Sequence, residues 1–450
     1  MERPLNAMPQ ASLKDYFLGV LRCEFVRNVA IVASGTFAAE AITMVYSPVL
    51  TRMYGPEAFG LLGVFVALLS IMTPIAALTY PIAIVLADKD AEAKSLARLS
   101  FLVALSTSGF VAILLLLRGE GLLALVGSEA ITGYALLIPL SMLFTACIQI
   151  AEQWLIRKKQ YRITARLAVL QSFILNSSKA GLGWINPAGA TLVVLTTVGH
   201  AFHAGILRAG INLSKEPRTA ADRQGQCKNS LKALVKRYYD FPMYRAPQVF
   251  INAISQNFPV LMLASFFGPS SAGFYTICKT VLGLPSALVG KSVGDVFYPR
   301  ISEAARNGEN LTRLILKATI ALVAIGLIPF GLILAFGPWL FGFVLGGEWV
   351  VAGEYARWLS IMMFFFFINK PSVIAIPVLG LQKGLLMYEF FSTSTKIVAI
   401  YLGVIFLKSD SLTIAIFSIT SAFTYLLLIA WVIISSRFHG KKVHNATKTS

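Results

Sequence analysis

Twelve apolar stretches, each long enough to cross a lipid bilayer, dominate this sequence and leave little of it for any other kind of structure. A spanning helix takes roughly 20 apolar residues, and one Lys, Arg, Asp or Glu at its centre costs about 2.5 to 3.5 kcal/mol. The predicted spans are therefore placed where charges are rare: 28–50, 59–86, 97–117, 130–155, 164–184, 188–207, 242–267, 272–298, 314–336, 354–380, 384–407 and 411–435. The chain is 56% apolar and 13% charged, whereas soluble domains average about 25% charged residues. This composition excludes a soluble enzyme.

The Lys and Arg residues are distributed unevenly between the two sides of these spans. Of the 39, 30 lie in the two terminal segments and in alternate connections, four lie on the other side, and five lie inside spans. Because cytoplasmic loops retain positive charge, we expect a multi-pass protein of the cytoplasmic (inner) membrane with both termini in the cytoplasm. The longest basic stretch, residues 215–237, then falls in a cytoplasmic loop. Membrane topology accounts for the net charge of +18, so the charge does not indicate binding of nucleic acid. Binding of anionic membrane lipids by this loop stays open as an alternative.

The sequence contains no motif that predicts a metal site, a cofactor or an enzyme active site. The four cysteines, Cys23, Cys147, Cys227 and Cys278, are scattered singly, without a C-x-x-C pair or a histidine at metal-ligand spacing. Nucleophile elbows and phosphate-binding loops are also missing from the sequence. These observations favour a transporter over an enzyme.

An internal repeat divides the predicted spans into two halves. The segment 48–60 is echoed by 259–273, and Tyr80-Pro81 is echoed by Tyr298-Pro299. Because each half contains six spans, both halves enter the membrane with the same orientation, and an axis along the membrane normal relates them. The predicted fold is an all-α polytopic membrane protein with about twelve transmembrane helices in two six-helix bundles. The predicted organisation is a cytoplasmic tail 1–27, a first bundle 28–207, a basic linker 208–241, a second bundle 242–435 and a cytoplasmic tail 436–450.

Both halves of the repeat carry motifs of a known transporter family. The turn from Arg52 to Gly60 reads RMYGPEAFG and is followed by Tyr80-Pro81 and the charged run 88–92. This pattern resembles the N-terminal signature of the polysaccharide-biosynthesis flippases. These are the O-antigen and capsule exporters of the multidrug/oligosaccharidyl-lipid/polysaccharide (MOP) superfamily. The echoed segments 266–273 and 297–303 resemble the second half of the same family.

The resemblance implies a flippase that acts by alternating access. Its cargo would be an oligosaccharide carried on a polyprenyl diphosphate, moved from the cytoplasmic to the outer leaflet through a central cationic cavity. The implied partners are this lipid-linked oligosaccharide, membrane lipids, and the glycan polymerase and glycosyltransferases of the same process. The recognisable stretches cover about residues 1–95 and 245–310, and elsewhere only span number and spacing agree.

Five lysines lie inside predicted spans: Lys179, Lys279, Lys291, Lys370 and Lys396. If all faced lipid at about 3 kcal/mol each, the cost would be roughly 15 kcal/mol, which is comparable to the stability of a whole domain. We therefore expect them to face a polar cavity or a carboxylate. Lys279 and Lys370 have no carboxylate nearby in the sequence, while Lys291 lies four residues before Asp295 and can pair with it. For Lys179, near a span end, a position at the headgroups is favoured.

A compact multiple anion such as a diphosphate is attracted by ammonium groups held in a low-dielectric cavity. The predicted cationic cavity therefore consists of Lys279, Lys370, Lys396, Lys291 and Arg52. For Arg52, a position among the outer headgroups is an equal alternative.

Three carboxylates inside spans are candidates for coupling transport to an ion gradient: Glu40, Asp295 and Glu389. An isolated carboxylate such as Glu40 indicates a proton or cation site, and an ion pair with Arg52 or a cavity lysine is the alternative. Glu389 lies seven residues before Lys396, so both face one side of the same predicted helix.

Two other functions compete with a flippase. A drug or small-cation extruder of the same superfamily would favour an acidic cavity, whereas the predicted interior contains more lysines than carboxylates. A glycan polymerase or ligase would need a large outer domain, and the longest predicted outer segment, about 337–353, is short and apolar.

Overall fold

The computed structural model describes residues 24–125, 129–213 and 231–448. Most of the predicted N-terminal tail and linker, residues 1–23 and 214–230, lies outside these ranges, and the side chains of Lys291 and Asp295 are not described either. Within the described ranges, the first half forms six helices: α1 Glu24–Ala76, α2 Tyr80–Leu86, α3 Asp90–Leu125, α4 Leu137–Arg157, α5 Tyr161–Gly183 and α6 Gly189–Leu213. The remainder forms eight: α7 Leu231–Arg237, α8 Ala246–Phe267, α9 Pro269–Arg306, α10 Leu311–Leu345, α11 Val350–Ile368, α12 Lys370–Val378, α13 Gln382–Leu402 and α14 Asp410–Lys448.

The predicted all-α membrane fold is confirmed. Eight stretches of the described chain are long and apolar enough to cross a membrane. One of them, Ser34–Ala76, covers most of the first two predicted spans, 28–50 and 59–86. Helices α4, α5 and α9 match three more predicted spans and are less apolar because they carry polar or charged side chains. Outward-facing apolar residues follow the length of α10: Ile320, Ile325, Leu327, Ile328, Leu332, Leu334 and Phe336. A surface of this kind is suited to lipid rather than water.

The Gly-Pro turns of the two repeats have the same backbone conformation. Gly55 has φ 68° and ψ 173°, and it divides α1 into two helical segments. Gly268 has φ 90° and ψ 172° and precedes α9. Glycine adopts positive φ at little cost, and the following proline is compatible with the first turn of a helix. The sequence motif therefore sets the same sharp turn in both halves.

The two bundles meet mainly through α1, which packs on α8 and α9 of the second half as well as on α4, α5 and α6 of its own half. We call the membrane end that contains the Gly55 and Gly268 turns the turn end. A continuous buried core lies at this end and includes Phe65 of the first bundle with Trp349 and Tyr355 of the second. Apolar burial therefore joins the bundles at the turn end.

The opposite end, which we call the linker end, contains α7 and the charged connection between α2 and α3. Arg237 of α7 pairs with Glu92 and Asp88, with N–O distances of 2.8 Å in both cases. The Tyr238 hydroxyl donates to the same Glu92 carboxylate at 3.2 Å, and Leu234 is buried beside α2 and α3. The last part of the linker is thus attached to the first bundle. A π-helical turn, Phe241–Arg245, then leads into α8.

Candidate functional site

A cavity inside the second bundle contains two of the predicted lysines. Lys279 of α9 and Lys396 of α13 both line it, and its volume is about 40 Å³. We call it the lysine cavity. Because one water molecule occupies roughly 10 to 15 Å³ of such space, the cavity has room for a few waters and not for a sugar. The remaining lining residues come from α8, α9, α11 and α14: Ser255, Gln256, Pro259, Tyr275, Met362, Met363, Phe366, Phe417 and Tyr425.

Neutral oxygen atoms of α8 hold the Lys279 side chain. Its ammonium donates to the carbonyl oxygen of Gln256 at 3.0 Å and to Asn257 Oδ1 at 3.4 Å. A carbonyl oxygen has two lone pairs, so it accepts this bond in addition to a helical one. Lys279 is therefore oriented by neutral groups, without an ion pair to a carboxylate in the described part of the chain.

Aromatic rings hold the other two lysines. The Lys396 ammonium lies 4.6 Å from the centre of the Tyr425 ring and donates to the Tyr425 hydroxyl at 3.3 Å. The Lys370 ammonium lies 4.1 Å from the centre of the Phe366 ring. Phe366 and Tyr425 in turn contact each other, with ring centres 5.5 Å apart. A cation over a ring face is stabilised by the ring quadrupole without a carboxylate partner.

The three lysines make no ion pair with any carboxylate in the described part of the chain. Glu389 lies half-buried on α13, the helix of Lys396, and has no ion-pair partner in that same part. The region around the lysine cavity is therefore positively charged within apolar surroundings. Since such groups attract anions strongly, the geometry is suited to a phosphate or diphosphate.

The structure places Arg52 and Glu40 away from the lysine cavity. The Arg52 guanidinium lies at the turn end, where it donates to the carbonyl oxygen of Phe343 at 2.9 Å. Glu40 is exposed on α1 and makes no ion pair with Arg52. The Lys291–Asp295 pairing involves side chains outside the described set. The structure thus places Lys279 and Lys396 in one cavity. Lys370 contacts the Phe366 ring, which also lines this cavity.

Sequence reasoning missed the residues that orient the lysines. Phe366 and Tyr425 read as ordinary apolar members of their spans, and nothing in the sequence marks them as cation partners. Gln256 and Asn257 belong to a polar run, 252–257, which is unusual inside a span and was the available signal.

A second group of contacts closes the turn end between the bundles. The Thr51 hydroxyl donates to the carbonyl oxygen of Leu345 at 3.0 Å, and the Trp349 indole N–H donates to the carbonyl oxygen of Thr51 at 3.1 Å. The Trp349 ring meets Phe59 of the first bundle and Phe274 of the second edge to face, at 5.4 and 5.9 Å. Trp349 is 1% exposed, so water is excluded from this junction.

Comparisons with known proteins agree with this architecture. A family model described as "Polysaccharide biosynthesis protein" matches residues 49–354, and no curated protein matches the chain. An inward-facing multidrug resistance MATE transporter of the MOP superfamily is 14% identical, with 92% of this chain and 99% of that chain covered and a TM-score of 0.70. An outward-facing MATE transporter of the same superfamily is 13% identical, with 92% and 96% covered and a TM-score of 0.61.

A third similar structure is a MOP superfamily transporter from Pyrococcus furiosus, described as having a binding pocket of reverse polarity. It is 14% identical, with 94% of this chain and 98% of that chain covered and a TM-score of 0.62. These structures share the all-helical, two-lobed fold of this chain, and the family model covers both halves of its repeat. The chain therefore belongs to the polysaccharide biosynthesis protein family, and its fold is that of the MOP superfamily transporters.

Proposed function

We propose that this protein is a flippase that moves an oligosaccharide carried on a polyprenyl diphosphate across the cytoplasmic membrane by alternating access. The cargo would supply an O-antigen, capsule or exopolysaccharide unit. The observation that carries this proposal is the group of three lysines in the second bundle, held by rings and neutral oxygens instead of carboxylates. A diphosphate would supply the negatively charged partner that these lysines lack.

The charge of the cavity favours this cargo over the cation of a drug extruder. The lining of the lysine cavity includes two lysines and no acidic residue, so a cationic drug would be repelled there. The transporter from Pyrococcus furiosus, whose description links a binding pocket of reverse polarity to a different function, supports the idea that this fold accepts cargo of opposite charge.

A membrane glycan polymerase or ligase is less well supported. Such an enzyme needs a sizeable domain outside the membrane to hold a catalytic site. The connection predicted to be the longest outer segment contains only one 3-10 turn, Gly347–Trp349, between α10 and α11. We therefore propose a secondary transporter that cooperates with separate glycosyltransferases and a separate polymerase.

We propose that the turn end faces the outside and the linker end faces the cytoplasm. The distribution of Lys and Arg supports this orientation. Exposed aromatic residues at the turn end, including Trp184 and the stacked rings of Trp339 and Phe343, are suited to the headgroup layer. In this orientation the described state is closed towards the outside.

The decisive experiment measures flipping of a polyprenyl-diphosphate-linked oligosaccharide in reconstituted vesicles. We expect Lys279→Ala, Lys370→Ala and Lys396→Ala each to lower the rate roughly 10- to 100-fold, because a hydrogen bond to a charged group contributes about 1.5 to 3 kcal/mol. Arginine at the same positions keeps the charge and should restore part of the rate. Lys383→Ala, an exposed lysine on the helix of Lys396, is the matched control. Wild-type flipping by the triple-alanine variant would refute the proposal.

A further inference from the structure

The three lysines fall into two groups separated by a pair of aromatic rings. Lys279 and Lys396 line the lysine cavity, as do Phe366 and Tyr425. Lys370 does not line it, and its ammonium lies against the Phe366 ring instead. Phe366 therefore stands between Lys370 and the other two ammonium groups.

Lys370 also lies at a different depth. Helices α11 and α12 run from the turn end towards the linker end, and Lys370 follows Phe366 by four residues, about 6 Å along a helix. Helix α13 runs the opposite way. Ser392 lies level with Thr424, to which it donates at 3.2 Å, so Lys396 lies one turn nearer to the turn end. Along the membrane normal, the order of the backbone positions from the linker end is Lys370, the ring pair, then Lys396.

The backbone is interrupted at Lys370. Helix α11 ends at Ile368 and α12 begins at Lys370, and Pro371 lacks the N–H that would bond to the preceding turn. A cation and an interrupted helix therefore occur together on the linker-end side of the ring pair.

We propose that Lys370 forms a separate anion station, which a phosphate group of the cargo occupies between the linker end and the lysine cavity. This inference rests on the proposed function. The cargo's diphosphate first contacts Lys370, then passes the Phe366–Tyr425 ring pair and is bound by Lys279 and Lys396. Lys370 therefore governs how fast the cargo loads, and Lys279 and Lys396 govern how tightly it is held.

Binding kinetics separate these two roles. The probe is a short-chain prenyl diphosphate added to the full-length protein in lipid nanodiscs, with the association rate measured by stopped flow and the affinity by titration. We expect Lys396→Ala to weaken affinity at least tenfold. Lys370→Ala should slow association about tenfold while it changes affinity less than threefold, because a station on the path affects loading and unloading together. Lys383→Ala should change neither quantity.

Additional variants guard against an effect on folding. Lys370→Arg keeps the charge and should restore the association rate, whereas Lys370→Gln keeps a polar side chain without the charge and should not. Equal loss of affinity in Lys370→Ala and Lys396→Ala would show that all three lysines form one site. Unchanged association in Lys370→Ala would also refute the station, and in both cases the proposed function would stand. Absence of prenyl diphosphate binding by the wild-type protein would overturn both.

Discussion

Gly60 of the first half and Gly273 of the second half pack reciprocally, each against the carbonyl oxygen of the proline in the other half's Gly-Pro turn. A Cβ atom at Gly60 would lie 1.8 Å from the carbonyl oxygen of Pro269, and a Cβ atom at Gly273 would lie 2.0 Å from that of Pro56. Both distances are far below van der Waals contact, so only glycine allows this approach. The repeat detected in the sequence thus forms a close backbone approach between the two bundles.

Alanine at either glycine should open the turn end. Because the opposing atoms belong to the backbone, Gly60→Ala or Gly273→Ala forces the bundles apart instead of displacing a side chain. The measurement is the distance between spin labels at Trp184 and Lys408, one in each bundle, by pulsed electron resonance in a cysteine-free background. We expect a longer distance in both variants. Gly283→Ala is the control, since a Cβ there meets nothing within 4 Å, and an unchanged distance in the double variant would contradict the prediction.

Trp349→Phe should weaken the closed turn end without removing the ring from the junction. The substitution loses the indole N–H bond to Thr51, which contributes about 1 kcal/mol, so the closed population should fall roughly fivefold relative to the open one. The same spin-label distance reports this shift. Trp339→Phe is the matched control because that tryptophan is 66% exposed and stacks only on Phe343. An equal effect of both substitutions would show that the hydrogen bond to Thr51 is unimportant.

Arg237→Gln should release α7 from the first bundle. The guanidinium is half-exposed, so we expect a small loss of local stability and up to roughly fivefold faster amide hydrogen exchange in 231–237. Hydrogen-exchange mass spectrometry measures this directly. Lys236→Gln removes a neighbouring charge without an ion pair in the described part of the chain and should leave the exchange rates unchanged. Slow exchange in the Arg237 variant would show that apolar packing of Leu234 and Tyr238 holds α7 by itself.

Under the proposed function, Glu40→Gln should remove the dependence of flipping on an ion gradient while cargo binding is retained. Glu40 is an exposed carboxylate on a membrane-spanning helix, and a carboxylate within a spanning helix is a candidate cation site. The test imposes proton and Na⁺ gradients separately across reconstituted vesicles. Glu57→Gln, an exposed carboxylate beyond the kink of the same helix, is the control. Wild-type flipping that responds to neither gradient would refute the coupling role.

Cysteine labelling of intact cells tests the orientation. A cysteine at Gly347 should react with a membrane-impermeant reagent, since a side chain there meets no neighbouring atom within 4 Å. A cysteine at Lys236, exposed at the linker end, should react only after the cells are permeabilised. The reverse pattern would show that the turn end faces the cytoplasm.

The fold was predictable because the membrane restricts where charges and broken helices occur. The cost of charge in lipid located the spans, and the Gly-Pro pairs predicted the turns at Gly55 and Gly268. The same free-energy cost of a charge in lipid indicated that Lys279, Lys370 and Lys396 share polar surroundings. The structure places Lys279 and Lys396 in one cavity. Their role in cargo binding stays a prediction.

Other features depend on contacts that no local pattern contains. Tyr425 and Phe366 have the same apolar signature as core residues, so their contacts with Lys396 and Lys370 emerge only when α11, α13 and α14 pack together. Likewise, Arg52 bonds to a carbonyl oxygen nearly three hundred residues away. For such groups the sequence specifies the chemical type, and tertiary packing selects the partner.

The buried position of Trp349 gives the protein its own optical signal. Its indole lies between rings of both bundles, without contact to water, and indole fluorescence shifts to longer wavelength when the ring becomes hydrated. Separation of the bundles at the turn end would therefore change the emission of this one residue. Opening and closing during a transport cycle become observable in unlabelled protein, and a variant that retains only Trp349 would show them in real time.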